Sequence, residues 1–133
     1  PPEEAKSFVE KLKEKNIDTI FLLSPTTEDK RIKLIIEQAT GFIYYVSLKG
    51  VTGSANIDID QVTERVRNIK RYTKLPIGVG FGVRDAKTAK EVALISDAVV
   101  IGSRIVQEIE NSSRADLISN IKKLMTEMKQ AIA

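Results

Sequence analysis

The chain has 133 residues, enough for one domain or part of a larger one, and its 42% hydrophobic and 29% charged content is that of an ordinary globular protein. Its 21 basic and 18 acidic residues are interspersed along the chain for a net charge of +3, which is no electrostatic footprint for nucleic acid. Cysteine and histidine are both absent, so disulfides, thiolate chemistry and metal sites or triads built on those residues are excluded, and acid–base work falls to Asp, Glu, Lys or Tyr.

No apolar run approaches the ~20 residues that cross a bilayer. The opening PPEEAKSF lacks the apolar core of a signal peptide, and a cytoplasmic location is expected. Ala5, Phe8, Val9 and Leu12 then recur at helical spacing and predict a first helix ending near Asn16. Residues 19–23 (TIFLL) form a continuous apolar run, as in a strand covered on both faces. Thr26 and Asp29 predict a capping-box start for a helix striped by Ile32, Ile35, Ile36 and Ala39, with Gly41 in the C′ place.

A second strand is predicted over 42–47, followed by the loop LKGVTGSANID and a helix from Asp58 to about Tyr72. A third strand covers 77–80, a short helix runs from Asp85 to about Ile95, and a fourth strand covers 98–101. After Gly102 and Ser103 a short amphipathic piece (Ile105, Val106, Ile109) precedes a longer helix that buries Leu117, Ile121, Leu124 and Met128, with Ser113 and Asp116 as its cap.

Strands alternating with helices predict a parallel sheet. Length alone favours a complete open, doubly wound sheet, because a (β/α)8 barrel needs about 250 residues. The glycine-rich ends of two consecutive strands, followed by an extra short helix, favour the barrel instead, since that is where barrels bind phosphate. The expected fold is therefore α/β, the C-terminal half of a (β/α)8 barrel, with residues 1–133 as a single partial domain.

A phosphate needs several N–H donors converging on it. Glycine removes the Cβ that blocks such an approach, and a helix N-terminus adds unpaired N–H groups. Gly53, Gly80, Gly82, Gly102 and the Ser103 hydroxyl are candidates for one nest; tight strand-to-helix turns are the plainer explanation of each glycine taken singly. Arg104, beside the nest, is expected to swing into water. Leu22, Tyr44, Phe81 and Val100 are in register to face one cavity, either as core or as the floor of a pocket for a flat apolar group. The strand ends carry Ser24, Ser47, Lys49, Thr52 and Ser103 but no carboxylate. Asp85 reads as a helix cap, and Asp18 and Asp97 precede their strands at the opposite, stabilising face. Lys49, a Schiff-base candidate by position, has no evident buried partner and reads more simply as an exposed lysine.

The segments YYVSLKGVTGSA (44–55), GVGFGVRDAKTAKEV (78–92) and DAVVIGSRIVQ (97–107) resemble the alpha subunit of tryptophan synthase, and the order of elements agrees along all 133 residues. The GVTG loop is the more family-specific of these signals. That family is a (β/α)8 barrel that cleaves indole-3-glycerol phosphate to indole and glyceraldehyde 3-phosphate and passes indole to a pyridoxal-phosphate-dependent beta subunit in a heterotetramer. The resemblance puts phosphate on Gly53, Gly82, Gly102 and Ser103, and the indole side against Phe81 and Tyr44 with Leu22 and Val100 nearby. It makes residues 48–58 a mobile lid that carries Thr52, gives Lys49 no catalytic counterpart, and implies neither a metal nor a cofactor in this chain. The family's catalytic glutamate and aspartate come from an earlier strand and its loop, so a missing N-terminal half is expected as partner and this segment is expected to be inactive alone. Another sugar-phosphate isomerase or aldolase, and a non-catalytic phosphate-binding half-barrel, are the alternatives.

Overall fold

The computed structural model describes residues 1–47, 58–80 and 82–133. Among them the elements run α1 (Lys6–Glu14), β1 (Phe21–Leu23), α2 (Asp29–Gln38), β2 (Ile43–Val46), α3 (Ile59–Lys70), β3 (Ile77–Gly80), α4 (Ala86–Ala93), β4 (Ala98–Val100), α5 (Ser103–Asn111) and α6 (Leu117–Ile132). The strands form one parallel sheet in the order β1-β2-β3-β4. Each expected strand is present and most are shorter than predicted. Thr19, for example, bonds through its amide to Thr40 Oγ1 (2.8 Å) and through its carbonyl to the Thr40 amide (3.1 Å), so it braces the strand's entry rather than extending β1.

Strand alternation divides the sheet into two unlike faces. Leu23, Ile43, Tyr45, Ile77 and Val79 point to one side and are buried under Ile32 and Ile35 of α2, Val62, Val66 and Ile69 of α3, Ala89 and Val92 of α4, and Leu124 and Met128 of α6. Each Val, Leu, Ile or Met of this set contributes about 1.5–3 kcal/mol when withdrawn from water, and the core of this unit lies between sheet and helices. On the other face Leu22 pairs in register with Tyr44, Tyr44 with Gly78, and Gly80 with Val100. That face is open at β1, where Leu22 is 62% exposed.

Local chemistry sets the helix starts. Asp58 accepts from the Gln61 amide at 3.1 Å, and Asp85 from the Thr88 amide at 2.7 Å, so both are the N-caps expected of them. Ser113 Oγ accepts from the Asp116 amide (3.2 Å) and donates to the Asp116 carboxylate (2.7 Å), building a capped turn that leads into α6. The capping box at Thr26 does not form. Thr27 Oγ1 instead accepts from the Ser24 amide (3.0 Å), the Thr26 hydroxyl joins Ser24 Oγ, and the N-cap of α2 is Glu28 without a side-chain bond. Nor is Gly41 the C′ residue. The helix closes at Ala39 in extended conformation, and Gly41 turns the chain two residues on at φ 73°.

At α1 the expected stripe forms but buries no residue, and Phe8 is 62% exposed. In α6, Leu124 and Met128 are fully buried, whereas Leu117 and Ile121 are only partly so.

Candidate functional site

The strand ends place the predicted site residues unevenly. Gly82 and Gly102 each lie two residues beyond a residue of one register pair, Gly80 and Val100, and so at the carboxyl ends of neighbouring strands. Gly82 has φ 82°, in the left-handed region that favours glycine. Gly102 is the N-cap of α5, and a Cβ built there would meet nothing within 4 Å. The N-cap is a glycine and has no side chain with which to cap α5, and the first-turn amides, starting at exposed Ser103, carry the partial positive charge of a helix N-terminus.

Leu22, Tyr44 and Val100 lie on the same sheet face, as alternation predicts. Leu22 is too exposed in this unit to be core. Gly53, Thr52, Lys49 and Phe81 lie outside the described residues.

Gly80 has a different explanation from the one its sequence neighbours suggest. An ideal Cβ on Gly80 would come within 2.9 Å of Tyr44 Cζ and 3.0 Å of Val100 Cβ, and one on Gly78 within 3.3 Å of Phe42 Cε2. The two glycines leave room on β3 for the rings of Phe42 and Tyr44. The signal was legible: glycines two apart in PIGVG match aromatics two apart in Phe42 and Tyr44. Gly80 is a packing residue here.

Arg104 is not swung into water. Its Nη2 bonds Glu108 Oε2 at 2.7 Å, one turn along α5, with both side chains largely covered. The pair is a helix i, i+4 contact that occupies the guanidinium.

Other described polar groups near the strand ends are committed to structure. Ser47 Oγ is buried and donates to the Gly80 carbonyl at 3.1 Å, tying β2 to β3. The Asp85 carboxylate accepts from the amide and hydroxyl of Thr88, and these bonds hold its pKa below the ordinary aspartate value. At the opposite end Asp97 accepts from the Ile77 amide (2.9 Å) and from Lys70 Nζ, and its pKa is likewise lowered, chiefly by the backbone bond. These described groups therefore offer backbone amides at the strand ends and no free acid or base.

Arg65 was not anticipated. From α3 its Nη2 donates to the carbonyls of Pro25 (2.9 Å) and Thr27 (2.7 Å), pinning the β1–α2 loop, while Nη1 lies 3.9 Å from Asp29. Beside it the Tyr45 hydroxyl is buried, with no hydrogen bond of good geometry among the described residues. Burial raises the Tyr45 pKa, against the opposing pull of the Arg65 charge. An arginine three residues after Val62 and four before Ile69 falls on the helix's core-facing side, the one clue the sequence carried.

Comparison with known proteins gives these features a context. The family model "Tryptophan synthase alpha chain" matches residues 1–133. The tryptophan synthase alpha chain of Janthinobacterium sp. (strain Marseille) is 55% identical over 132 residues, which are 99% of this chain and 50% of that protein. The corresponding chain of Nitrosomonas europaea is 53% identical, covering 99% of this chain and 48% of its own length. Among solved structures, tryptophan synthase subunit alpha from Legionella pneumophila superposes with a TM-score of 0.84 at 32% identity, over 99% of this chain and 48% of that one. Tryptophan synthase from M. tuberculosis, in an aminoacrylate-bound form, gives 0.83 at 26% identity, over 99% and 47%. The chain thus spans about half the length of the curated relatives it matches. Its four-stranded parallel sheet is half of their (β/α)8 barrel, and with the match unbroken from first residue to last, the chain belongs to the tryptophan synthase alpha chain family.

Proposed function

We propose that this chain is the phosphate- and indole-binding half of a carbon–carbon lyase that cleaves indole-3-glycerol phosphate to indole and glyceraldehyde 3-phosphate. The observation that carries the reading is the pair of glycine-bearing ends on adjacent strands β3 and β4, the second opening directly into the N-terminus of α5. Backbone amides at Gly82, Gly102 and Ser103, with Gly53 from the loop after β2, hold the phosphate dianion. The helix terminus favours that charge by about 0.3–1 kcal/mol or more. Tyr44, Leu22, Val100 and Phe81 form the apolar wall against which the indole lies.

The reaction needs a proton delivered to the indole ring carbon that leaves the glycerol chain, and a base to take the glycerol hydroxyl proton as the carbon–carbon bond breaks. The described residues at the strand ends commit their polar groups elsewhere, so the reading takes both carboxylates from the N-terminal half of the barrel. Binding energy from the phosphate anchors the substrate so that these groups act on a fixed target. Released indole goes to a beta subunit, which holds the pyridoxal phosphate; this half carries neither cofactor nor metal. No helix among the described residues is long and apolar enough to cross a membrane, and the reading places the enzyme in the cytoplasm.

The test is reconstitution. This chain mixed with a separately produced N-terminal half is expected to release indole from indole-3-glycerol phosphate, while the chain alone releases none. Indole release by the chain alone, or an assembled barrel that leaves the substrate intact, overturns the proposal.

A further inference from the structure

Every charged side chain of α5 sits at the end of the helix where its dipole disfavours that charge. Arg104 lies in the first turn, and Glu108 and Glu110 lie in the last. The ion pair between Arg104 Nη2 and Glu108 Oε2, at 2.7 Å, also runs in the weaker order, cation before anion along the helix. Helix stability therefore gives no reason for an arginine at this position. The two side chains keep 28% and 22% of their surface in water, so breaking their bond strands no fully buried charge.

The place of Arg104 suggests what the arrangement serves. Gly102, two residues earlier, has open space where a Cβ would stand, and Ser103 is exposed. From the rise of an α-helix, the start of α5 lies about 3 Å along the axis on one side of Arg104, and Glu108 about 6 Å on the other. The long arginine stem spans either distance. A helical Cα–Cβ bond tilts toward the N-terminus, so the stem leans to the open end while the guanidinium is turned the other way, onto Glu108.

We propose that Arg104 is a further phosphate-binding residue of this site, held on Glu108 while the site is empty and exchanged onto the substrate's phosphate when it binds. The inference rests on the lyase reading above, and adds a cationic side chain to a nest that the reading builds from backbone amides. The dianion is the stronger partner. It carries more charge than a carboxylate, accepts both arms of a guanidinium, and lies where the helix terminus attracts negative charge. Glu108 neutralises Arg104 in the empty site and sets the affinity, because its bond has to break before Arg104 reaches the ligand.

A double-mutant cycle tests the exchange. The protein is a single chain joining the N-terminal half of the Janthinobacterium relative to this one, titrated calorimetrically with glycerol 3-phosphate. Arg104→Gln should raise the Kd at least about fivefold, with Arg104→Lys recovering part of the loss. Glu108→Gln should lower the Kd about two- to fivefold, since the guanidinium is no longer held. Combined with Arg104→Gln, Glu108→Gln should have no effect; a carboxylate that acted only through its field would still oppose the anion there. Glutamine is as good a helix former as the residues it replaces, so the variants are expected to fold. In the wild type, the Arg104 guanidinium NMR signal should shift on adding glycerol 3-phosphate. Equal Kd for wild type and Arg104→Gln, a Glu108→Gln effect that persists without Arg104, or an unmoved Arg104 signal would each overturn the inference alone. A wild type that does not bind glycerol 3-phosphate overturns the lyase reading and this inference with it.

Discussion

The Tyr44 ring and hydroxyl occupy the space that a side chain on Gly80 would fill, across the ladder between β2 and β3. A methyl at position 80 has no room, with Tyr44 on one side and Val100 Cβ 3.0 Å away on the other. Gly80→Ala is therefore expected to cost about 1–3 kcal/mol in urea unfolding of the 133-residue chain, as overpacking does. Tyr44→Ala removes the obstruction, so the double variant should be more stable than the sum of the two single effects predicts. Strict additivity would show that the two residues do not share that space.

The two site glycines should separate stability from binding. Gly82→Ala forces a side chain into the left-handed region and is expected to destabilise by about 1–2 kcal/mol. Gly102→Val adds bulk to open space but puts a disfavoured residue at the N-cap of α5, and should cost up to about 1 kcal/mol. In the reconstituted barrel, however, that bulk would stand at the proposed phosphate site, and the KM for indole-3-glycerol phosphate should then rise at least about tenfold. An unchanged KM would remove Gly102 from the phosphate site.

Arg65 and Tyr45 make opposite predictions from one cluster. Arg65→Ala strips the bonds that hold the Pro25 and Thr27 carbonyls and should cost about 2–4 kcal/mol, with Arg65→Lys recovering only part because an ammonium lacks the planar fork. Tyr45→Phe removes a buried hydroxyl that has no well-formed bond, so it should be neutral or stabilising. A loss above about 1 kcal/mol for Tyr45→Phe would mean that the neighbouring guanidinium donates to that oxygen in solution.

Asp97 should shape the acid limb of stability. Its folded carboxyl titrates below its unfolded value of about 3.9, because the Ile77 amide and then Lys70 favour the ionised form. Its contribution is whole above the unfolded value and disappears as the pH falls through the lower, folded one. Melting temperatures of the wild type and Asp97→Asn should differ most above about pH 5 and converge toward about pH 2. Parallel curves across that range would contradict the assignment.

Asp85→Ala should cost about 1 kcal/mol through loss of the α4 cap, and Asp85→Asn much less, since an amide oxygen can still accept from the Thr88 amide. Chemical denaturation of the three proteins measures this directly. Equal losses for both variants would show that charge at the helix start, not the hydrogen bond, is what stabilises α4.

Periodicity and punctuation carried the architecture. Apolar runs bounded by glycine, asparagine and aspartate located all four strands, and the aspartates at 58 and 85 cap helices as expected, because an extended aspartate one residue ahead of a helix reaches its free amides through local geometry alone. The hydroxyl at Thr26 did not behave that way. Ser24 and Thr27 lie close enough to satisfy each other, and a local turn won over the helix cap. Arg104 was misjudged for a related reason: a partner four residues along the same helix was present in the sequence, but only its rotamer decides whether the guanidinium reaches water, an anion or Glu108.

What the sequence alone determined is whatever depends on neighbours along the chain: the alternation of elements, the facing of Leu22, Tyr44 and Val100 by strand parity, and the glycines that keep the strand ends unobstructed. Only the tertiary structure decided the relations between elements distant in the chain. Gly80 became a seat for Tyr44, and Arg65 a clamp on a loop some forty residues earlier. The reason is steric: a side chain's periodicity tells which way it points, but what fills the space in front of it is set by the packing of elements that meet only in the folded chain.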